Sequence, residues 1–124
     1  MSSDLKGRQK GRFLHSFTFA ISGIFHALRN ERNMKIHSVV TIIVIILAWI
    51  YHLSAIEWMF ISFAICGVLA LELVNTAVER VVDLVTKEFH PLAKQAKDVA
   101  AGAVLLYAIL SVVIGFIIFL PKMF

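Results

Sequence analysis

The chain has 124 residues, a length that suits one domain. Hydrophobic residues make up 60% of it and the mean hydropathy is +0.86, values that exclude an ordinary soluble domain and indicate a membrane protein. The net charge of +4 is compatible with nucleic acid, but no nucleic-acid motif is present and the basic residues flank apolar segments, so we expect an anionic membrane surface instead.

The amino-terminal part is predicted to be a polar tail followed by an amphipathic helix. Residues 1–11 are polar and are expected to fray. From Arg12 to about Leu28, apolar residues recur with a helical period and form one wide apolar face. With basic flanks, such a helix suits the plane of the membrane interface, and a soluble-type core helix is the alternative. Residues 1–35 are therefore assigned to a cytoplasmic tail and an interfacial helix.

A dense polar patch, residues 29–37, separates this helix from the first apolar segment. Charge runs of this kind are usually surface loops, and we predict a loop here. Glu31 is the only acid in the patch and stands just before a membrane entry, which makes it a candidate functional residue.

Three long apolar segments follow, and a hydrocarbon core of about 30 Å is crossed by roughly 20 such residues. The helices that contain them are predicted over 38–56, 58–85 and 92–120. Residues 86–91 are predicted to be a break, because Pro91 cannot continue a helix but suits the first turn of a new one. Pro121 and Lys122 are predicted to end the last helix. The whole chain, 1–124, is then a single integral-membrane domain.

The lysine and arginine residues predict the orientation of these spans. Seven precede the first span, none lies in the first connection, four lie between the later spans and one is terminal. Basic residues favour the cytoplasmic side. We therefore predict a multi-pass protein of the cell membrane with a cytoplasmic amino terminus and an external carboxyl terminus.

The most informative stretch closes the second apolar segment. If this stretch is an α-helix, its polar side chains share one narrow stripe along the helix, and the side chains on the rest of its circumference are apolar. The stripe consists of Glu72, Asn75, Thr76, Glu79 and Asp83. Glu72 and Asn75 lie among Leu, Val and Ala, where an unpaired polar group is costly. Carboxylates held along a membrane helix indicate chemistry, ion handling or assembly.

Several further polar groups are predicted at the same cytoplasmic face. The full set is Glu31, Glu72, Asn75, Glu79, Asp83, Glu88, His90, Lys94, Lys97 and Asp98. Carboxylates suit Mg²⁺, lysines neutralise phosphate charge, and a further carboxylate can accept a proton from a hydroxyl. This set favours phosphoryl transfer to a lipid alcohol.

Alternatives remain open at this point. The chain has neither a phosphate-binding G-x-x-x-x-G-K-[ST] loop nor a protein-kinase signature, and its histidines lack zinc-site spacing. A small proton- or cation-coupled transporter and a non-catalytic assembly or membrane-stress protein would also use an acidic stripe. Glu79 with Arg80, or Lys94 with Asp98, would also be ordinary solvated helix pairs.

Three motifs resemble one family. The stretch Glu72-Leu-Val-Asn75-Thr-Ala-Val-Glu79-Arg-Val-Val-Asp83 resembles the signature of the prokaryotic integral-membrane diacylglycerol kinase family. The run His90-Pro-Leu-Ala-Lys-Gln-Ala-Lys97-Asp98 and the pair Asn30-Glu31 match further blocks of that family. The stretches 29–33, 57–58, 90–94 and 119–122 are most similar to the branch that phosphorylates undecaprenol, and diacylglycerol is the alternative acceptor.

The resemblance implies a homotrimer with active sites shared between subunits, using Mg²⁺ and ATP. By position, Glu72 matches the general base, Glu31 and Glu79 match the metal-holding carboxylates, and Asn75 matches the amide that supports the site. The nucleotide-contacting positions are matched by Arg12, Glu88, His90, Lys97 and Asp98. Gln95 and Phe19 depart from the arginine and tyrosine of some relatives, which puts the outer nucleotide contacts in doubt.

Overall fold

The computed structural model describes the backbone of residues 2–124 and the side chains of residues 8–124. The described residues form four helices: α1 (Ser2–Asn30), α2 (Arg32–Ile50), α3 (Ala55–Val85) and α4 (Pro91–Met123). Within them, α2, α3 and α4 are long and apolar enough to cross a membrane. At 1.5 Å per residue α3 is about 46 Å long and α4 about 50 Å, so both exceed a hydrocarbon core of about 30 Å. The prediction of an all-α chain is confirmed, and three of its helices could span a membrane.

The first helix is longer than predicted. The expectation of a frayed segment over 1–11 is wrong for the described residues, because α1 already begins at Ser2. Its first turns contain helix-forming Leu, Lys, Arg and Gln and no proline, so nothing in the sequence stops the helix there. Met1 lies outside the described residues.

The polar patch is also helical, contrary to the predicted loop. Asn30 ends α1 and Arg32 begins α2, so Glu31 alone separates the two helices. The backbone at Glu31 is extended, with φ −105° and ψ 120°, and its carbonyl accepts the N–H of Lys35 at 3.2 Å. The patch is therefore a tight corner between two helices that places one acidic residue at the bend.

The ends of α3 and α4 follow from local chemistry. Ser54 and Glu57 form a capping box at the start of α3, which begins the helix three residues before the predicted residue 58. Pro91 occupies the first turn of α4, as predicted. The predicted end at Pro121 and Lys122 is wrong, because α4 continues to Met123. Pro121 lacks an N–H and crowds the carbonyl four residues earlier, but it lies in the last turn, where Phe124 N–H still donates to Leu120 O at 3.2 Å.

The helices pack around α3. The Tyr107 hydroxyl of α4 donates to Phe63 O at 2.8 Å, and the Ser111 hydroxyl donates to Ala64 O at 3.3 Å. Gly67 makes room for the Tyr107 ring, since a β-carbon there would overlap it. These contacts hold α4 directly against the middle of α3.

The helix α2 meets α4 at one end only. There a small apolar core joins them to α3, formed by Ala48, Leu53, Ile61, Ile118 and Phe119. Beyond it, the backbones of α2 and α4 make no close approach within the described chain. A groove of about 650 Å³ lies between them over α3, and its only polar lining residues are His37, Thr41 and Ser111.

Candidate active site

The polar stripe of α3 lies at the end of this helix that is remote from the capping box. Glu72, Asn75 and Thr76 are buried, Glu79 is half-buried and Asp83 is exposed. Spacings of three, four and seven residues put these side chains on one side of the helix. The stripe thus runs from a buried carboxylate to a water-accessible one.

Glu72 is the most enclosed charged residue among the described side chains, with 3% of its surface exposed. Its Oε2 lies 3.7 Å from Nε2 of His37, which α2 contributes. The Thr76 hydroxyl donates to the main-chain oxygen of Glu72 at 3.0 Å and so does not occupy the carboxylate. A buried carboxylate with a free oxygen is positioned to accept a proton from a bound hydroxyl.

Asn75 is buried beside Glu79. Its Nδ2 donates to Oε1 of Glu79 over a long 3.4 Å, and its Oδ1 is buried without a hydrogen-bond donor among the described residues. Asn75 also lines a second groove, of about 550 Å³, between α3 and the start of α4, together with Gln95. Since buried polar atoms are normally satisfied, this oxygen is available to accept a hydrogen bond from a bound group.

Glu31 is brought to the same region of α3 by an ion pair. Arg80 donates from Nη2 to Oε1 of Glu31 at 2.9 Å, and its Nη1 lies 3.0 Å from Nε2 of His26. Arg80 follows Glu79 directly in the sequence, so the pair places Glu31 near the turn that carries Glu79. Arg80 therefore pairs with Glu31, at the corner between α1 and α2, and not with Glu79 as hypothesised.

The basic start of α4 pairs with acidic residues. Lys97 donates from Nζ to Oδ1 of Asp83 at 2.7 Å, which ties the start of α4 to the end of α3. Lys94 pairs with Asp98 four residues later, as an ordinary exposed helix pair. Lys97 lies on the side of α4 that faces the stripe, whereas Asp98 is engaged by its own helix.

The remaining predicted nucleotide contacts lie apart from the stripe. Arg12 is exposed on α1, and none of the ion pairs among the described side chains involves it. Glu88 lies in the connection between α3 and α4, where its N–H donates to the Thr86 hydroxyl at 3.2 Å. His90 caps α4, with Nδ1 accepting from Leu92 N–H at 3.1 Å. None of the hydrogen bonds or ion pairs among the described side chains joins these three residues to Glu72.

Two residues at the site were not predicted from the sequence. No role was predicted for His37, and Arg80 was expected in a solvated pair with Glu79. A signal for His37 was present, because Met34, His37, Ser38 and Thr41 recur at helical spacing and all four are buried or half-buried. For Arg80 no signal existed, since its partners lie 49 and 54 residues away.

Comparison with known proteins decides the family. A model described as "Prokaryotic diacylglycerol kinase" matches residues 18–119, which is most of the chain and includes the stripe. The chain belongs to the prokaryotic diacylglycerol kinase family. The predicted family is thereby confirmed, and with it an enzyme that phosphorylates lipid in place of a transporter.

Individual members of the family are similar over most of their length. The undecaprenol kinase of Bacillus subtilis is 47% identical over 123 residues, covering 99% of this chain and 100% of that protein, a match that bears out the predicted branch. The diacylglycerol kinase of Synechocystis is 46% identical over 111 residues, covering 89% of this chain and 63% of that protein. The diacylglycerol kinase of Escherichia coli K12 is 28% identical, covering 82% of this chain and 84% of that protein.

Proposed function

We propose that this chain transfers the γ-phosphoryl group of ATP to the hydroxyl of undecaprenol and so forms undecaprenyl phosphate. The observation that carries the proposal is the 47% identity with an undecaprenol kinase over 99% of the chain. The apolar groove supports the same function, because its lining residue His37 lies 3.7 Å from the buried Glu72 carboxylate and a lipid alcohol has to bring its hydroxyl to that carboxylate.

Diacylglycerol is the second candidate acceptor. The relative from Synechocystis is called a diacylglycerol kinase and is 46% identical, although the match covers only 63% of that protein. Undecaprenol is preferred because the similarity to the Bacillus protein extends over both chains in full.

The general base of the reaction is Glu72. The lipid hydroxyl attacks the γ-phosphorus while its proton passes to the Glu72 carboxylate. A new bond forms between the lipid oxygen and phosphorus, and the bond between phosphorus and the leaving ADP oxygen breaks. Burial of Glu72 excludes water from this carboxylate, which favours attack by the lipid hydroxyl over hydrolysis.

The carboxylates of Glu31 and Glu79 fit a magnesium site. Mg²⁺ is usually held by one or two carboxylates together with substrate phosphates, so two protein ligands suffice. No cluster of three or more acidic, histidine or cysteine side chains is present among residues 8–124, in keeping with such a sparse site. Bound Mg²⁺ would offset the negative charge of the phosphates. Glu31 would first have to exchange its ion pair with Arg80.

The nucleotide is proposed to bind where α4 begins. Lys97 supplies a positive charge beside the stripe, and Asn75 offers its unpaired Oδ1. Asp98, Glu88, His90 and Arg12 are proposed as outer contacts. Because no hydrogen bond or ion pair among the described side chains joins Arg12, Glu88 or His90 to the stripe, we assign some of these contacts to neighbouring subunits of a homotrimer.

We propose that the chain is a single domain embedded in the cell membrane. Its amino terminus and the stripe would face the cytoplasm, where ATP is found, and its carboxyl terminus the outside. The distribution of Lys and Arg supports this orientation. The apolar side chains of α1, among them Phe13, Phe17 and Phe25, are exposed, which supports a helix lying on the membrane interface.

The experiment that tests this function is a transfer assay. Purified protein in detergent micelles is given labelled ATP and Mg²⁺ with either undecaprenol or diacylglycerol. We expect undecaprenol to become labelled, with a higher kcat/KM than diacylglycerol. A higher kcat/KM for diacylglycerol would overturn the acceptor, and label in neither lipid would overturn the kinase function.

A further inference from the structure

The buried carboxylate of Glu72 lies beside a side chain from outside its own helix. A carboxylate with 3% exposure needs a partner, because an unpaired buried charge is costly. On α3, the Thr76 hydroxyl donates to the main chain of Glu72 and the Asn75 amide donates to Glu79. Among the described residues, the side chain that reaches the Glu72 carboxylate is His37 of α2, at 3.7 Å between Nε2 and Oε2.

Several charged groups of the candidate site are engaged with other partners. On α3, Glu79 accepts from Asn75. At the corner between α1 and α2, Glu31 is paired with Arg80, which also contacts His26. On α4, Lys97 is bonded to Asp83. Among the ion pairs of the described side chains, the partner of Glu72 is His37.

His37 also borders the path by which a lipid would arrive. It lies at one end of the groove between α2 and α4, with 26% of its side chain exposed, and Ile36, Val40 and Val44 continue the groove as an apolar wall. The Thr41 hydroxyl donates to the main-chain oxygen of His37 at 2.7 Å and leaves the imidazole free. The ring thus stands between the apolar groove and the buried carboxylate.

We propose that His37 is a positioning residue for the general base. Its Nε2 edge attracts Oε2 of Glu72 and fixes the rotation of the carboxylate, so that Oε1 is presented to the hydroxyl of a lipid whose chain lies in the groove. The inference rests on the proposed function, in which Glu72 accepts the proton of that hydroxyl. His37 neither bonds to phosphorus nor takes the proton in this step.

The test compares three substitutions at this position. His37→Leu removes the N–H edge, and we expect kcat to fall about 10-fold to 100-fold, the range typical of a misplaced catalytic group, with KM for ATP unchanged. His37→Gln retains an N–H donor of similar reach and should keep more of the activity than His37→Leu. Added imidazole should restore part of the activity of His37→Ala, which loss of packing alone would not allow.

A matched control is Ser38→Ala, at the next residue of α2, which is not among the residues that line the groove. It removes a hydroxyl that donates to the main-chain oxygen of Met34 at 2.7 Å and leaves the imidazole, so kcat should stay within about twofold of the parent. In a Glu72→Gln background, His37→Leu should cause no further loss, because a positioning residue acts only through the carboxylate that it positions.

Several results would overturn the inference. These are an unchanged kcat in His37→Leu, equal activities of His37→Leu and His37→Gln, or no effect of imidazole on His37→Ala. Failure of the proposed function would look different, because the parent protein itself would then label neither lipid. An active parent combined with an unaffected His37→Leu variant refutes the inference and leaves the kinase function standing.

Discussion

The Glu79 carboxylate is more accessible to solvent than that of Glu72, although both lie on the same stripe of α3. Glu79 is half-buried, and it is the outer of the two toward the end of the helix. We expect Glu79→Gln to raise the Mg²⁺ concentration for half-maximal activity by about tenfold or more, since removal of even supporting contacts at metal sites has effects of that size. A Mg²⁺ titration of lipid phosphorylation measures the shift.

The matched control for this variant is Glu57→Gln. It removes the same charge from the opposite end of α3, where Glu57 pairs with Lys122 at 3.2 Å. Glutamine also serves in a capping box, so the helix start is preserved. A Mg²⁺ response that is the same in both variants would argue against Glu79 as a metal ligand.

Individual residues differ in how far the sequence could predict their roles. Glu72 and Asn75 were identified because their spacing and apolar neighbours are local properties of one helix. The burial of Glu72 agrees with that reading. The contacts made by His37 and Arg80 depend on how α1 and α2 pack against α3, which one sequence without long-range information does not specify.

The contact between α3 and α4 depends on a glycine. A β-carbon at Gly67 would overlap the ring of Tyr107, whose hydroxyl bonds to α3. We expect Gly67→Ala to destabilise the fold by about 1–3 kcal/mol, the usual cost of overpacking a close contact. Thermal unfolding in detergent should show a lower midpoint than that of the parent.

Gly102→Ala provides the comparison on α4. The space around Gly102 is open, so alanine adds helix propensity without a clash. The expected effect is a stabilisation of about 0.5–1 kcal/mol. If Gly67→Ala matched or exceeded the unfolding midpoint of Gly102→Ala, the tight contact with Tyr107 would be contradicted.

The helices themselves were predicted better than their ends. Long apolar periodicity identified the spans, and Pro91 marked the start of α4 correctly. The corner at Glu31 was missed, because a charged sequence without glycine or proline gives no sign that it is helical on both sides. The continuation of α4 past Pro121 was not predicted, because a proline usually kinks or ends a helix. This proline lies in the last turn, and the helix continues to Met123.

The molecule as a whole exposes much apolar surface, as expected for a chain surrounded by lipid and by other copies of itself. The homotrimer with shared sites stays a prediction, and Arg12 offers a way to test it. Arg12 is exposed on α1, and none of the ion pairs among the described side chains joins it to the stripe of its own chain. If it serves a neighbour's site, two defective chains should complement each other.

We expect chains carrying Glu72→Gln and chains carrying Arg12→Ala to regain activity when they are co-expressed with different tags and purified through both. A mixed trimer would contain at least one site with an intact Glu72 from one chain and an intact Arg12 from another. The measurement is lipid phosphorylation per trimer. Activity no higher than the average of the two homogeneous variants would contradict a site that Arg12 shares between subunits.

The central claim is that the buried carboxylate on α3 accepts the proton of a lipid hydroxyl. The most direct measurement compares Glu72→Gln with the parent protein in two assays, phosphorylation of undecaprenol and equilibrium binding of Mg-ATP. The account predicts that kcat falls by about 10²–10⁴-fold, the contribution of a general base, while Mg-ATP binds as tightly as before. A Glu72→Gln variant that retained most of its turnover, or that lost activity only because it no longer bound Mg-ATP, would contradict the account.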